Sequence, residues 1–284
     1  ALITPMNPDG SINYPEMEHI INDQIAGGTD AVIVCGTTGE TATMTYDEHI
    51  ETIRACVQMT AGRIPVIAGT GSNCTKSAVK LSVAAERAGA DGLLVVSPYY
   101  NKATQKGLKL HFSKIAESVK LPIILYNVPS RTGVAIDVAT VKALGQHKNI
   151  VAVKEASGNI GYTAKLAAQC GDLVDIYSGN DDMIVPIMSL GGKGVISVLS
   201  NVMPKETHQM TQYCLENNFA AAAKLQLEYL NLINKLFIEV NPIPVKDALN
   251  QMGMPSGPCR MPLYEMSDEH KAALHDALAA HGLV

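Results

Sequence analysis

The sequence predicts an α/β fold in which eight parallel strands alternate with helices and close into a (β/α)8 barrel. Three observations predict it. Short apolar runs rich in Val, Ile and Ala recur through residues 1–198, their starts roughly 20–33 residues apart, the spacing of repeated βα units. These runs are continuously apolar rather than alternating, as strands buried on both faces of a parallel sheet are. Amphipathic stretches with apolar residues at i, i+3 and i+4 fill the gaps between them.

Taken in order, Ala1–Thr4 reads as the tail of a first strand that begins upstream. Ala31–Val34 is the second strand, and Thr45-Tyr-Asp-Glu48 is a capping-box pattern opening a helix to about Thr60. Pro65–Gly69 precedes a helix over Lys76–Arg87, and Gly92–Ser97 precedes one over Gly107–Val119. Pro122–Asn127 is the fifth strand, followed by Asp137 as the cap of a short helix, Val138–Leu144. Ile150–Glu155, Val174–Ser178 and Gly194–Val198 complete the eight. Beyond them the chain shows no strand signal, only helices at Pro204–Glu216, Phe219–Leu236, Pro244–Met252 and Ser267–His281. The expectation is a TIM barrel over residues 1–204, with its last helix and a C-terminal helical extension over 205–284, all one domain without a linker. A doubly wound open sheet would usually carry fewer strands and no such even spacing.

Composition narrows the function. With 47% hydrophobic and 17% charged residues, the 284-residue chain is a packed globular protein, not a disordered one. A net charge of -5 gives no support for a nucleic-acid or membrane-surface partner. No apolar stretch reaches the roughly 18–20 residues a bilayer span requires. No charged start precedes a signal-type core, so a cytoplasmic location is expected. The six cysteines contain no C-x-x-C pair, which suits reduced thiols. The eight histidines form no H-E-x-x-H, so neither a metal nor another cofactor is expected.

In such a barrel, chemistry collects at the C-terminal strand ends. The second strand ends in Gly36-Thr-Thr-Gly-Glu40, offering hydroxyls and amide donors from Thr37 and Thr38. The loop after the third, Gly69-Thr-Gly-Ser-Asn73, lacks the spacing of a nucleotide loop. The fourth ends in Ser97-Pro-Tyr-Tyr-Asn101, where paired tyrosines either pack or bring a phenol to a site. The fifth ends in Tyr126-Asn-Val-Pro-Ser-Arg-Thr-Gly133, placing a phenol at the strand end and Arg131, a bidentate carboxylate binder, in the loop. The sixth carries Lys154. A lysine amine held in a low-dielectric strand-end pocket is biased toward its neutral form, which can attack a ketone. The bland alternative is a lysine snorkelling to water or paired with Glu155. Strands lie about 4.8 Å apart, so the Tyr126 phenol is within reach of an imine on Lys154. One lysine, one phenol, hydroxyls and an arginine together point to class I aldolase chemistry: an imine with a 2-oxo acid, then an enamine that attacks an aldehyde.

These motifs, with Val153-Lys-Glu-Ala156 and Asn241-Pro-Ile-Pro-Val-Lys246, resemble the dihydrodipicolinate synthase and N-acetylneuraminate lyase superfamily over essentially the whole chain, and its dihydrodipicolinate synthase branch in particular. The resemblance implies that Lys154 forms a Schiff base with pyruvate. Tyr126 shuttles protons, aided by Thr37 and by Tyr100 from a neighbouring subunit. Thr38 holds the pyruvate carboxylate, Arg131 that of L-aspartate 4-semialdehyde, and carbonyls of Gly179 and Ile196 line the pocket. It further implies a step of bacterial lysine synthesis and a homotetramer built as a dimer of dimers. The family's lysine-effector cleft maps onto Thr41, Ala42, Tyr46, His49, Asn73, Ser77 and Tyr99. Ser77 stands where lysine-sensitive members carry a glutamate, so weak or absent feedback is expected. Arg131 separates the branches, because a semialdehyde with a terminal carboxylate needs a cation where a polyol needs hydroxyls. The competing readings are a retro-aldol lyase of the N-acetylneuraminate type or a hydratase-aldolase acting on a different 2-oxo acid, and a non-catalytic 2-oxo-acid sensor. The sensor would require loss of Lys154 or Tyr126, and both are present.

Overall fold

The computed structural model describes residues 1–284. Seven strands form one sheet in sequential order, every neighbouring pair parallel: β1 (Val32–Val34), β2 (Val66–Gly69), β3 (Gly92–Val96), β4 (Ile123–Asn127), β5 (Ile150–Glu155), β6 (Asp175–Ser178) and β7 (Gly194–Val195). A helix connects each consecutive pair, as parallel strands require.

Strand pleating sorts the side chains into two cores. Val32, Val34, Leu93, Val95, Ile123, Leu125 and Val153 face outward into a cluster of 55 buried residues shared with the helices. Ile33, Leu94, Ile124, Tyr126, Ala152 and Ile196 belong to a separate inner cluster of 8 residues. The alternation has a direct consequence for β4 and β5. Tyr126 and Lys154 share the inner face with Ile124 and Ala152, while Asn127 and Glu155 point outward.

Seven of the eight expected strands form; the first does not form a ladder. Ala1 N donates to Ser197 O (2.8 Å) and Leu2 N to Ile33 O (2.9 Å), so the segment lies between the two ends of the sheet. Ile3 N then turns to the Asn201 side chain at 3.1 Å, and the pairing stops. The last strand also ends early, at Val195 rather than Val198. The buried carboxylate of Asp181 accepts from Val198 N and Leu199 N, both at 2.9 Å, and draws the chain off the ladder into a short 3-10 turn.

Helix expectations hold with local corrections. Thr45 Oγ1 accepts from Glu48 N as a capping box requires, but the Glu48 carboxylate turns away to Arg260. Asp137 occupies the cap position of Val138–Leu144 without making a side-chain cap bond. The expected helix over Phe219–Leu236 is two, Phe219–Glu228 and Leu230–Lys235, joined at Tyr229, which lies edge-on to His281 with ring centroids 5.1 Å apart. Helices Tyr14–Ala26 and Ile160–Cys170 escaped the sequence reading. No helix is long and apolar enough to cross a membrane.

Candidate active site

Tyr126 and Lys154 are direct register partners on β4 and β5. Both are nearly closed off from solvent, 7% and 6% exposed, and Lys154 Nζ sits 4.4 Å from the centroid of the Tyr126 ring. Glu155, the ion-pair partner of the bland reading, is engaged elsewhere: its carboxylate accepts from Asn127 Nδ2 and from Ser157 N, both at 2.7 Å, on the outer face. Asn127 Oδ1 in turn accepts from Ile136 N at 3.0 Å, which ties β5 to the loop that follows β4. Burial without a counter-ion pushes the Glu155 carboxyl above its ordinary range.

Gly179, at the end of β6, lies against the lysine. A methyl group there would meet Ala156 Cβ at 2.6 Å and Lys154 Cε at 3.0 Å, so only glycine leaves this side chain its place. Ile196 belongs to the inner cluster, and its N–H donates to Ser178 O at 2.8 Å. A cavity of about 370 Å³ opens beside Asp30, Tyr177, Lys193 and His208; of the expected site residues it takes in Ile196 but not Lys154 or Tyr126.

The loop after β1 carries Thr37, half-buried, and Thr38, buried. It is fixed from the far end of the chain. Asn241 Nδ2 donates to Thr38 Oγ1 at 3.0 Å, and buried Lys246 donates to Glu40 Oε1 at 2.8 Å and to Pro258 O at 2.5 Å. Arg260 N donates to the other Glu40 oxygen at 2.8 Å. The main-chain oxygen of Asn241 also accepts from Arg131 Nη2 at 3.2 Å. Arg131 is exposed and stands on the short helix Pro129–Thr132. Asn241, Lys246 and Glu40 had no individual role in the sequence reading. Their only signal was membership of the motifs Gly36–Glu40 and Asn241–Lys246, the second of which runs into helix Ile243–Gln251.

Tyr100 is 89% exposed and held at φ +75, a left-handed conformation rare for a bulky residue, with its N–H donating to Thr132 O at 3.3 Å. Its ring is open to solvent. Of the three expected effector residues, Asn73 and Tyr99 are partly open to solvent, but His49 is buried. His49 Nε2 pairs with Gly69 O at 2.8 Å and Nδ1 with Thr41 Oγ1 at 3.2 Å, so neither ring nitrogen is free for a ligand. A carbonyl can only accept, which makes Nε2 the protonated nitrogen. Desolvation holds this histidine below its ordinary range, and hence neutral. Tyr46 is exposed, with Lys80 Nζ lying 3.7 Å from its ring centroid.

The profile of the Dihydrodipicolinate synthetase family matches residues 1–281. The chain belongs to this family. It is 55% identical over 285 residues to the 4-hydroxy-tetrahydrodipicolinate synthase of Lachnoclostridium phytofermentans, covering 100% of this chain and 97% of that protein. The crystal structure of dihydrodipicolinate synthase from Aquifex aeolicus superposes with a TM-score of 0.98 at 45% identity, covering 100% of this chain and 97% of that one. The chloride-inhibited dihydrodipicolinate synthase of Acinetobacter baumannii, solved with pyruvate, gives a TM-score of 0.98 at 39% identity over 100% and 98% of the two chains.

Proposed function

We infer that the chain is a Schiff-base-forming synthase of lysine and diaminopimelate biosynthesis, condensing pyruvate with L-aspartate 4-semialdehyde to 4-hydroxy-tetrahydrodipicolinate. One observation carries the reading: identity of 55% over the full chain with a synthase of that name. The buried Tyr126–Lys154 pair supplies the chemistry.

In the proposed course, Lys154 Nζ attacks the pyruvate ketone and water leaves, giving an imine; Tyr126 carries the protons that this exchange moves. The cationic imine acidifies the pyruvate methyl group, whose proton is lost to give an enamine. The enamine carbon bonds to the semialdehyde carbon and the aldehyde oxygen takes a proton. The semialdehyde amine then attacks the imine carbon, closing the ring and expelling the lysine amine. No step requires a cofactor. Thr38 receives the pyruvate carboxylate, Arg131 that of the semialdehyde, and the carbonyls of Gly179 and Ile196 line the pocket. Thr37 passes protons onward from Tyr126.

We further place Tyr100 in the site of a neighbouring copy, within a homotetramer arranged as a dimer of dimers; its exposure and left-handed backbone support this. A closed (β/α)8 barrel, with residues 1–4 as the closing segment and residues 205–284 as a helical extension of the same domain, fits the bonds of Ala1 and Leu2 to both sheet ends. Six free thiols support a cytoplasmic location. Of the effector cleft only His49 is buried, and with Ser77 in place of a glutamate lysine would bind weakly.

Reduction with borohydride in the presence of pyruvate tests the reaction: Lys154 should carry the reduced pyruvyl group, identified by peptide mass. A label on any other lysine would refute the mechanism. Lys154→Ala should abolish both the label and measurable turnover.

A further inference from the structure

We propose that Asn241 is a positioning residue that sets the polarity of the carboxylate-binding hydroxyl of Thr38; the proposal rests on the role given to Thr38 above. Asn241 is 6% exposed and lies in the tail, 203 residues from Thr38. Its Nδ2 donates to Thr38 Oγ1 at 3.0 Å, while its Oδ1 is buried with no partner.

In this orientation the amide presents an N–H, and not its oxygen, to the Thr38 hydroxyl. With Nδ2 donating, the Thr38 oxygen is occupied as an acceptor and its proton is left over. That proton is free to donate, and a carboxylate can only accept. The amide therefore presets Thr38 as a donor before any ligand arrives. The same residue reaches the second carboxylate site by a different atom: its main-chain oxygen accepts from Arg131 Nη2. Side-chain substitutions spare that contact, so the two sites can be separated experimentally.

The experiment measures kcat and both Michaelis constants for the full-length chain, for Asn241→Asp and for Asn241→Ala, beside thermal melts and borohydride trapping of each with pyruvate. Aspartate keeps the shape of asparagine but accepts. It would claim the Thr38 proton and set a negative charge beside the bound carboxylate. Losing one charge-assisted hydrogen bond corresponds to roughly a 10–150-fold rise in the Michaelis constant for pyruvate. That for the semialdehyde should hold. Asn241→Ala merely frees the hydroxyl to rotate, so its effect on pyruvate should be smaller than that of aspartate. A packing role predicts the opposite order, with alanine worse than its isosteric alternative, and that order would overturn the proposal. So would equal rises for both substrates. If Asn241→Asp does not fold, a double-mutant cycle of Asn241→Ala with Thr38→Val decides: coupled effects on pyruvate support the proposal and additive ones overturn it. Absence of trapping in the unaltered chain would instead remove the functional reading beneath it, a failure distinct from a reversed order in a chain that traps normally.

Discussion

Gly179→Ala puts a single methyl group between Lys154, the proposed nucleophile, and its support. The new Cβ would lie 2.6 Å from Ala156 Cβ and 3.0 Å from Lys154 Cε. Carbon atoms in contact rest at about 3.5–4.0 Å, so the first pair must separate by roughly 1 Å. Neither partner moves freely. Gly179 N is bonded to Glu155 O at 2.7 Å and Ala156 N to Asn127 O at 2.9 Å, so both methyl groups sit on pinned backbone. The strand ends must part or the lysine must be displaced. Overpacking of this kind costs about 1–3 kcal/mol, and a 1 Å misplacement of a reacting group about 10²-fold in rate. The assay is single-turnover trapping by borohydride and pyruvate, beside a thermal melt. The variant should melt only a few degrees lower yet trap about 10²-fold more slowly. Trapping at the unaltered rate would refute the placement of Gly179 against the reactive amine.

Two further substitutions separate the roles of the neighbouring groups. Tyr126→Phe removes only the phenolic oxygen and should lower kcat by roughly 10²–10⁴-fold with an unchanged melt; near-normal turnover would make Tyr126 a packing residue. Arg131→Ala should raise the Michaelis constant for the semialdehyde far more than that for pyruvate, since Arg131 stands outside the inner face; equal changes would reopen the lyase reading.

Much of the fold was legible because strand burial writes itself as continuous apolar runs: β3, β4 and β5 each begin within one residue of the sequence expectation. The ends were less legible where side chains compete with the ladder. Asp181 takes the amides of Val198 and Leu199, and Asn201 takes that of Ile3, and neither competition has a periodic signature. In the site, Tyr126 and Lys154 could be paired from strand ends alone, because register follows from sequential parallel order. The burial of His49 was not legible, because it depends on Gly69 and Thr41, contacts made by folding rather than by spacing. Asn241 and Lys246 escaped for the same reason, acting on a loop more than 200 residues away.

Backbone strain marks where folding stability has been given up for function, and the tail explains how one strained point is held. Of the six non-glycine residues with positive φ, Cys35, Glu40, Tyr100 and Lys102 lie in the loops after β1 and β3, which carry Thr37, Thr38 and Tyr100. Such conformations cost about 1–3 kcal/mol each unless their surroundings over-determine them. Glu40, at φ +56, is over-determined: both carboxylate oxygens are taken, one by Lys246 and one by Arg260 N. Lys246→Met keeps the bulk but leaves that carboxylate buried without its cation, and breaking one side of such a pair costs about 3–5 kcal/mol. The measurements are a denaturant melt and steady-state turnover. We expect that loss of stability together with a fall in kcat, because the loop bearing Thr37 and Thr38 loosens. Adding Glu40→Gln should return part of the stability, since a neutral amide no longer leaves a buried charge unpaired. A single variant as stable as the parent would show that the ion pair does not hold the loop. A destabilised variant with full turnover would show that the loop does not need holding.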